Sequence, residues 1–451
     1  MPVFRALVAV SALIIAMPGV ANAASPPERW VSTWAAPPVA RTDQPAQTLP
    51  ATAQAFPWTR DVPASVREAT PGQELEVGGG SSLHFKDQTL RQIAHVSVGG
   101  ARVRVVLTNS FGTQPLRVGA AQVALRDKGV AITPGSNRAL TFGGIDQPVV
   151  PPGALLVSDP IELAVPDFAD LVVDLYLPDD TGAGKSPVTF HPASWQVNYV
   201  SKPGNHAGAV TFPVAATTAY RRSDGLPSAS SFFLSRVEVE APGATGLLVA
   251  FGDSITDGTQ SGLDQNMRWP DLLARRLTSA GIRMSVVNGG IGGGRVLEDG
   301  VGPNALARFD RDVLAQPGVT HVTVLEGIND IGVGGAKPSP SVADLISGHK
   351  QLIARAHARG LRIYGATLTP FEGAAYWTPE GEAKRQALNE WIRTGGAYDA
   401  VLDFAAVVQD TAHPTKSRAE YDSGDHLHPS PAAYTAMANS IDLGLFRPTK
   451  E

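Results

Sequence analysis

The chain has 451 residues, 43% hydrophobic and 18% charged, with no tract dominated by one residue type, which allows two or three domains with separate cores. A formal net charge of -5 without a Lys/Arg cluster excludes nucleic acid as the main partner. There is no cysteine, so disulfides and a lipidated-cysteine anchor are excluded and stability must come from packing.

The first predicted element is a signal peptide over residues 1–23. Arg5 precedes the apolar run Ala6–Met17, then Pro18-Gly19 and the small-x-small site Ala21-Asn22-Ala23. The run is too short for a comfortable span, so the expectation is cleavage after Ala23, a secreted or periplasmic product, and no stable membrane insertion. Residues 24–242 read as a β-rich domain. His95–Val98 and Arg102–Leu107 alternate about Gly99-Gly100 and predict a hairpin. Further strand-like runs follow at Ala120–Leu125, Ala154–Val157, Leu171–Leu177 and Ser194–Val200, separated by Pro-Gly and Pro-Asp turns. Long helical periodicity is absent, and an antiparallel β-sandwich or jelly roll is expected. The Pro-rich stretch Ala36–Pro63 reads as an extended arm.

Residues 243–451 change period. Short apolar strands are predicted at Gly246–Phe251, Met284–Asn288, His321–Glu326, Leu361–Ala366 and Ala400–Phe404. Helices are predicted at Trp269–Ala280, Ala305–Leu314, Val342–Arg359, Glu380–Thr394 and Pro431–Asp442. This alternation predicts an α/β fold, a doubly wound parallel sheet that binds ligands at the carboxyl ends of its strands.

Residues able to do chemistry cluster at those ends. Gly252-Asp253-Ser254 follows the first strand, the glycine run Gly289–Gly294 with Arg295 the second, and Gly327-Ile328-Asn329-Asp330 the third; Asp425-His426-Leu427-His428 lies past the last. Acyl transfer needs these types. A serine hydroxyl needs a base, histidine needs a carboxylate to fix its tautomer, and the oxyanion needs N–H donors. Asp253 is expected to bond loop amides, and Asp330, Asp403 and Asp422 to cap or stabilise loops. No metal cluster at ligand spacing accompanies Asp253 and Asp257.

With these four blocks in order, the region from about Gly246 to Leu443 resembles the SGNH (GDSL-type) serine hydrolase family, in its two-domain secreted form with an N-terminal β-domain. The resemblance implies a flavodoxin-like sheet, Ser254 as nucleophile, His428 as base and Asp425 as its orienting carboxylate. It implies an oxyanion hole from the N–H groups of Ser254 and Gly293 and the Asn329 side chain, with Gly292 or Gly294 replacing Gly293 if the loop shifts by one. Ile255 stands where the family's nickname has leucine. The matched spacing favours His428 over His426. No metal or organic cofactor is implied. Arg295 and Trp269 are candidates for substrate contact, with a surface or packing role as the alternative.

The expected function is ester hydrolysis through an acyl-enzyme, most specifically deacetylation of an O-acetylated polysaccharide or oligosaccharide. His191, Trp195 and Tyr199 are candidates to reach the cleft and stack on sugar, against a core role for the two aromatics. Two alternatives are a lipolytic acyl esterase and a glycan-binding surface protein with a vestigial esterase fold.

Overall fold

The computed structural model describes residues 29–41, 84–221, 227–241, 245–332 and 339–447. The expected signal peptide and most of the expected Pro-rich arm lie outside these residues. No helix among the described residues is long and apolar enough to cross a membrane.

The N-terminal region is built from antiparallel sheets. Strands β1 (Trp30–Ala35), β2 (Gln88–His95), β3 (Gly100–Thr108), β4 (Ala120–Leu125), β5 (Ile161–Val165), β6 (Asp170–Leu177), β7 (Val188–His191) and β8 (Leu234–Glu240) carry the architecture. One sheet runs β1-β8-β3-β5; a second places β2 between β6 and Tyr199–Ser201, with β4 beyond β6. Strand β7 lies in a small third sheet between Ser231–Phe232 and Val39–Arg41.

The predicted hairpin about Gly99-Gly100 is corrected here: β2 and β3 belong to different sheets. Its glycines serve close approach between chains. A Cβ on Gly99 would sit 1.9 Å from the Val165 carbonyl oxygen, and the Gly99 N–H donates to Asp167 Oδ1 (2.6 Å). Strand β2, buried along almost its whole length, packs between layers, so its side chains do not alternate in polarity as an outer hairpin strand would. Ser194–Val200 is likewise mostly a loop. Asp264 Oδ1 accepts the Val197 N–H at 2.7 Å, the Asp264 N–H donates to the Trp195 carbonyl at 2.9 Å, and only Tyr199–Ser201 pairs as a strand.

After residue 245 the chain forms a parallel sheet of β9 (Gly246–Gly252), β10 (Met284–Gly290), β11 (Val319–Leu325), β12 (Arg362–Ala366) and β13 (Ala400–Leu402), in the order β10-β9-β11-β12-β13. Its helices are α1 (Ser254–Asp257), α2 (Trp269–Ser279), α3 (Ala305–Phe309), α4 (Ile328–Gly332), α5 (Val342–His357), α6 (Pro379–Thr394), α7 (Phe404–Val408) and α8 (Pro431–Ser440). The order 2-1-3-4-5 is the flavodoxin-like doubly wound pattern. Strand β9 is an interior strand buried on both faces, as its run Leu-Leu-Val-Ala-Phe requires. Connections diverge from β9 and β11 to opposite sides, opening a crevice at their carboxyl ends.

One continuous apolar cluster runs through both regions, from Val31 and Val103 to Phe251 and Phe446. The β-rich region therefore packs directly on the parallel sheet.

Candidate active site

Strand β9 ends in Gly252, and Ser254 opens helix α1. Asp253 is the N-cap: its Oδ1 accepts the Ile255 N–H (2.9 Å), satisfying a donor that the first turn leaves free. The side chain is fully buried and its other oxygen has no partner among the described residues. Burial pushes its pKa up to about 7, against the Ile255 hydrogen bond and the charge of His428.

Ser254 Oγ lies 2.9 Å from His428 Nε2. His428 Nδ1 bonds Asp425 Oδ2, while Asp425 Oδ1 accepts the N–H groups of Leu427 (2.9 Å) and His428 (2.7 Å). Burial works to raise the Asp425 pKa, but the charge and hydrogen bonds of His428 and those backbone bonds outweigh it and hold the carboxyl at about 2. An ionised Asp425 fixes the Nδ1–H tautomer and leaves the Nε2 lone pair facing the serine hydroxyl. His426 stands apart: it has a left-handed backbone, a half-exposed ring and Asp422 as its partner.

The glycine run after β10 forms a loop against Ser254, and a Cβ on Gly292 would lie 3.9 Å from Ser254 Cβ. Three side chains pin this loop. Asp257 Oδ2 accepts the Gly292 N–H at 3.1 Å. Asn329 Nδ2 donates to the Gly294 carbonyl at 3.0 Å. Asp330 accepts from Val296 (2.8 Å) and Leu297 (3.1 Å). Burial raises Asp330 to about 6, its two amide bonds opposing. The N–H groups of Ser254 and Gly293 have no protein partner among the described residues. Gly293 adopts φ 73°, a conformation natural to glycine. Asn329 keeps a second amide hydrogen, and its Oδ1 accepts from Tyr376 Oη (3.4 Å).

Behind the loop lies a buried polar layer that the sequence did not disclose. The Arg308 guanidinium packs on the Phe251 ring, its Cζ 3.9 Å from the centroid. It donates to the carbonyls of Gly252 (2.9 Å) and Gly289 (2.7 Å) and to Glu326 Oε1 (2.9 Å). It thereby joins the ends of β9 and β10 to the end of β11. Burial raises the Glu326 pKa well above the ordinary carboxylate range, against the Arg308 charge.

For three aromatic candidates the packing alternative holds, and the substrate-contact reading falls. Trp269 is fully buried at the start of α2, its ring 5.4 Å from that of Phe404; it is a core residue and cannot touch substrate. Trp195 and Tyr199 are also buried, in a second apolar cluster, so neither offers a face to sugar. His191 does reach the catalytic region, where its Nε2 lies 3.1 Å from Asp257 Oδ1. Arg295 pairs with Glu298 (3.6 Å) beside the glycine loop, and its Nε is buried without a partner among the described residues. Nothing signalled Tyr376, which sits on a loop before α6. Among the described residues no group of three or more His, Cys, Asp or Glu side chains is placed to hold a metal.

A doubly wound α/β sheet carrying a Ser–His–Asp hydrogen-bond chain at its switch point defines the class. Residues 250–436 match the model of the GDSL-like lipase/acylhydrolase family, and this segment is a domain of that family. Solved structures similar to the chain include a lipase/acylhydrolase from Enterococcus faecalis, at 20% identity and TM-score 0.37, over 46% of this chain and 100% of that one. Others are the aryl esterase of M. smegmatis (16%, TM-score 0.36, 44% and 96%) and a GDSL-like lipase from Bacteroides thetaiotaomicron (19%, TM-score 0.32, 43% and 84%). A comparison with curated proteins finds no match.

Proposed function

We propose that the protein is a secreted or periplasmic serine esterase that removes short acyl groups, acetyl above all, from O-acylated polysaccharide or oligosaccharide. The observation that carries the esterase reading is the 2.9 Å contact of Ser254 Oγ with His428 Nε2, backed by Asp425. Ser254 Oγ attacks the ester carbonyl as Nε2 takes its proton. The N–H groups of Ser254 and Gly293 and the free hydrogen of Asn329 Nδ2 face the oxyanion, each such donor contributing roughly 3 kcal/mol. Collapse expels the alcohol, which receives the proton from His428, and leaves acyl-Ser254. Water, deprotonated by His428, then releases the acid and restores the serine.

A short acyl group is supported by what lies near the serine: glycines, Asn329 and Tyr376, with Val301 the one large exposed apolar side chain against Gly293 among the described residues. The glycan part rests on the β-rich region packed beside the site. The vestigial-fold alternative is disfavoured by the intact hydrogen-bond chain. Turnover of p-nitrophenyl acetate, acetylated xylan and long-chain acyl esters tests the proposal. Wild type is expected to favour acetyl substrates, and Ser254→Ala to lose at least about a thousandfold in kcat. Full activity in that variant would remove the mechanism, and preference for long chains would remove the substrate.

A further inference from the structure

A buried histidine of the β-rich region reaches toward the glycine loop by way of helix α1. His191, the last residue of β7, is 5% exposed and Asp257, the last of α1, is 1% exposed. His191 Nδ1 lies 2.8 Å from the Pro37 carbonyl oxygen and Nε2 lies 3.1 Å from Asp257 Oδ1. A carbonyl only accepts, so Nδ1 donates to Pro37; Nε2 donates to Asp257 as well when the ring is an imidazolium, the form in which both nitrogens carry hydrogen. Burial alone would lower its pKa; the Asp257 charge and hydrogen bond and the Pro37 carbonyl outweigh burial, and the nearby Arg268 charge, to leave it raised. Arg268 is itself matched by Asp271 at 2.7 Å.

The second Asp257 oxygen accepts the Gly292 N–H at 3.1 Å, one residue before the free Gly293 N–H. The flank of the loop is closed from the same side, where Val39 packs on Gly302 and Arg311 Nη2 donates to the Pro38 carbonyl (3.2 Å).

We infer that His191 is a positioning residue for the esterase site: as an imidazolium it holds the Asp257 side chain in place, and Asp257 fixes Gly292 so that the Gly293 N–H points at the oxyanion. The inference rests on the esterase reading above. It makes the β-rich region a working part of the active site and gives it a role independent of sugar binding. A buried carboxyl group left without its donor would have to swing toward another partner, and that movement releases the Gly292 amide.

An oxyanion donor acts in the transition state, so its misplacement lowers kcat and spares KM. The test compares full-length wild type, Asp257→Ala and His191→Gln on p-nitrophenyl acetate, with acyl-enzyme burst titration counting competent Ser254. Expected are losses in kcat of roughly 100-fold for D257A and roughly 10-fold for H191Q, with KM within about twofold and unchanged burst stoichiometry. The double variant should fall no further than D257A, since the two side chains act in series. Wild-type kcat per competent site in both variants overturns the inference. So does a loss that vanishes once kcat is divided by competent sites, which marks a purely structural role. Should either variant fail to fold, 15N NMR of the wild-type histidines near neutral pH decides: two protonated ring nitrogens on His191 support the inference and a bare one overturns it. Wild-type activity that survives Ser254→Ala would instead remove the esterase reading, which is a separate failure.

Discussion

Asp425 does two jobs through the same bonds. It fixes the tautomer of His428, and it sits buried and ionised with four partners that only a carboxylate could accept from together: the Leu427 and His428 amides, the Ser423 hydroxyl and the imidazole Nδ1. Asp425→Asn keeps the shape but offers an amide that favours the wrong tautomer, so kcat should fall by about 10⁴. The same substitution has a stability signature. The carboxyl titrates at about 2 when folded, below its ordinary 3.8. Its contribution is thus complete above the unfolded value and fades as pH drops from near 4 toward 2. That contribution is on the order of 2 kcal/mol. Urea midpoints for wild type and D425N should therefore converge across that window. A constant gap between them would show that the ionised carboxylate does not stabilise the fold.

Among the elements, α6 shows how scaffold and chemistry separate. Thr378 caps it, Oγ1 accepting the Gly381 N–H at 2.9 Å, and Pro379 occupies the first turn. Its opening turn packs near Ile331 of α4, the helix that presents Asn329. Thr378→Ala should cost about 1 kcal/mol of stability and leave kcat within about twofold, because Asn329 is held directly by the Gly294 carbonyl and Tyr376. A kcat loss larger than the stability loss would mean that α6 tunes the site.

The parallel-sheet elements were readable because period and burial coincide: β9 and β11 are apolar runs, and α2, α5 and α6 have one apolar face each. Helix Ala305–Leu314 was foreseen as one piece, but its second half, Asp310–Leu314, is a π-helical turn, a change in hydrogen-bond register that side-chain periodicity does not encode. The β-rich half was read less well. A strand buried on both faces loses its alternation, and Gly99-Gly100, a turn signal in sequence, instead lets two segments of the chain approach closely. At the site, the first three blocks could be placed because each directly follows its own strand, while Asp425 and His428, set past α7, could be placed by their mutual spacing. The His191–Asp257 pair could not, since 66 positions separate its members and no local pattern announces that contact.

At the scale of the molecule, the edge of the parallel sheet is sealed by hydroxyls from the other region. Strand β10 is one of the two outer strands, and its Val286 N–H would be an unpaired edge donor but for Ser97 Oγ at 3.1 Å. Ser97 also bonds Ser285 Oγ (2.9 Å), which donates to the Ser32 carbonyl (2.6 Å), and Ser32 Oγ donates to Gln316 Oε1 (2.8 Å). These bonds tie β1 and the β2–β3 crossover to β10 and to the turn before β11. An exposed parallel edge invites pairing with other chains, so this seam protects the sheet as well as joining the halves. With one apolar cluster running through both, neither half can open without uncovering the other, and unfolding should be a single cooperative event. Ser97→Ala removes the acceptor for Val286 and a partner of Ser285, at about 1–3 kcal/mol for the buried group left unsatisfied. Calorimetry should show one transition in both proteins, its midpoint lowered by roughly 1–4 °C in the variant. Two resolved transitions, only one of them moved by the substitution, would mean that the seam is an ordinary domain contact and that the sheets fold independently.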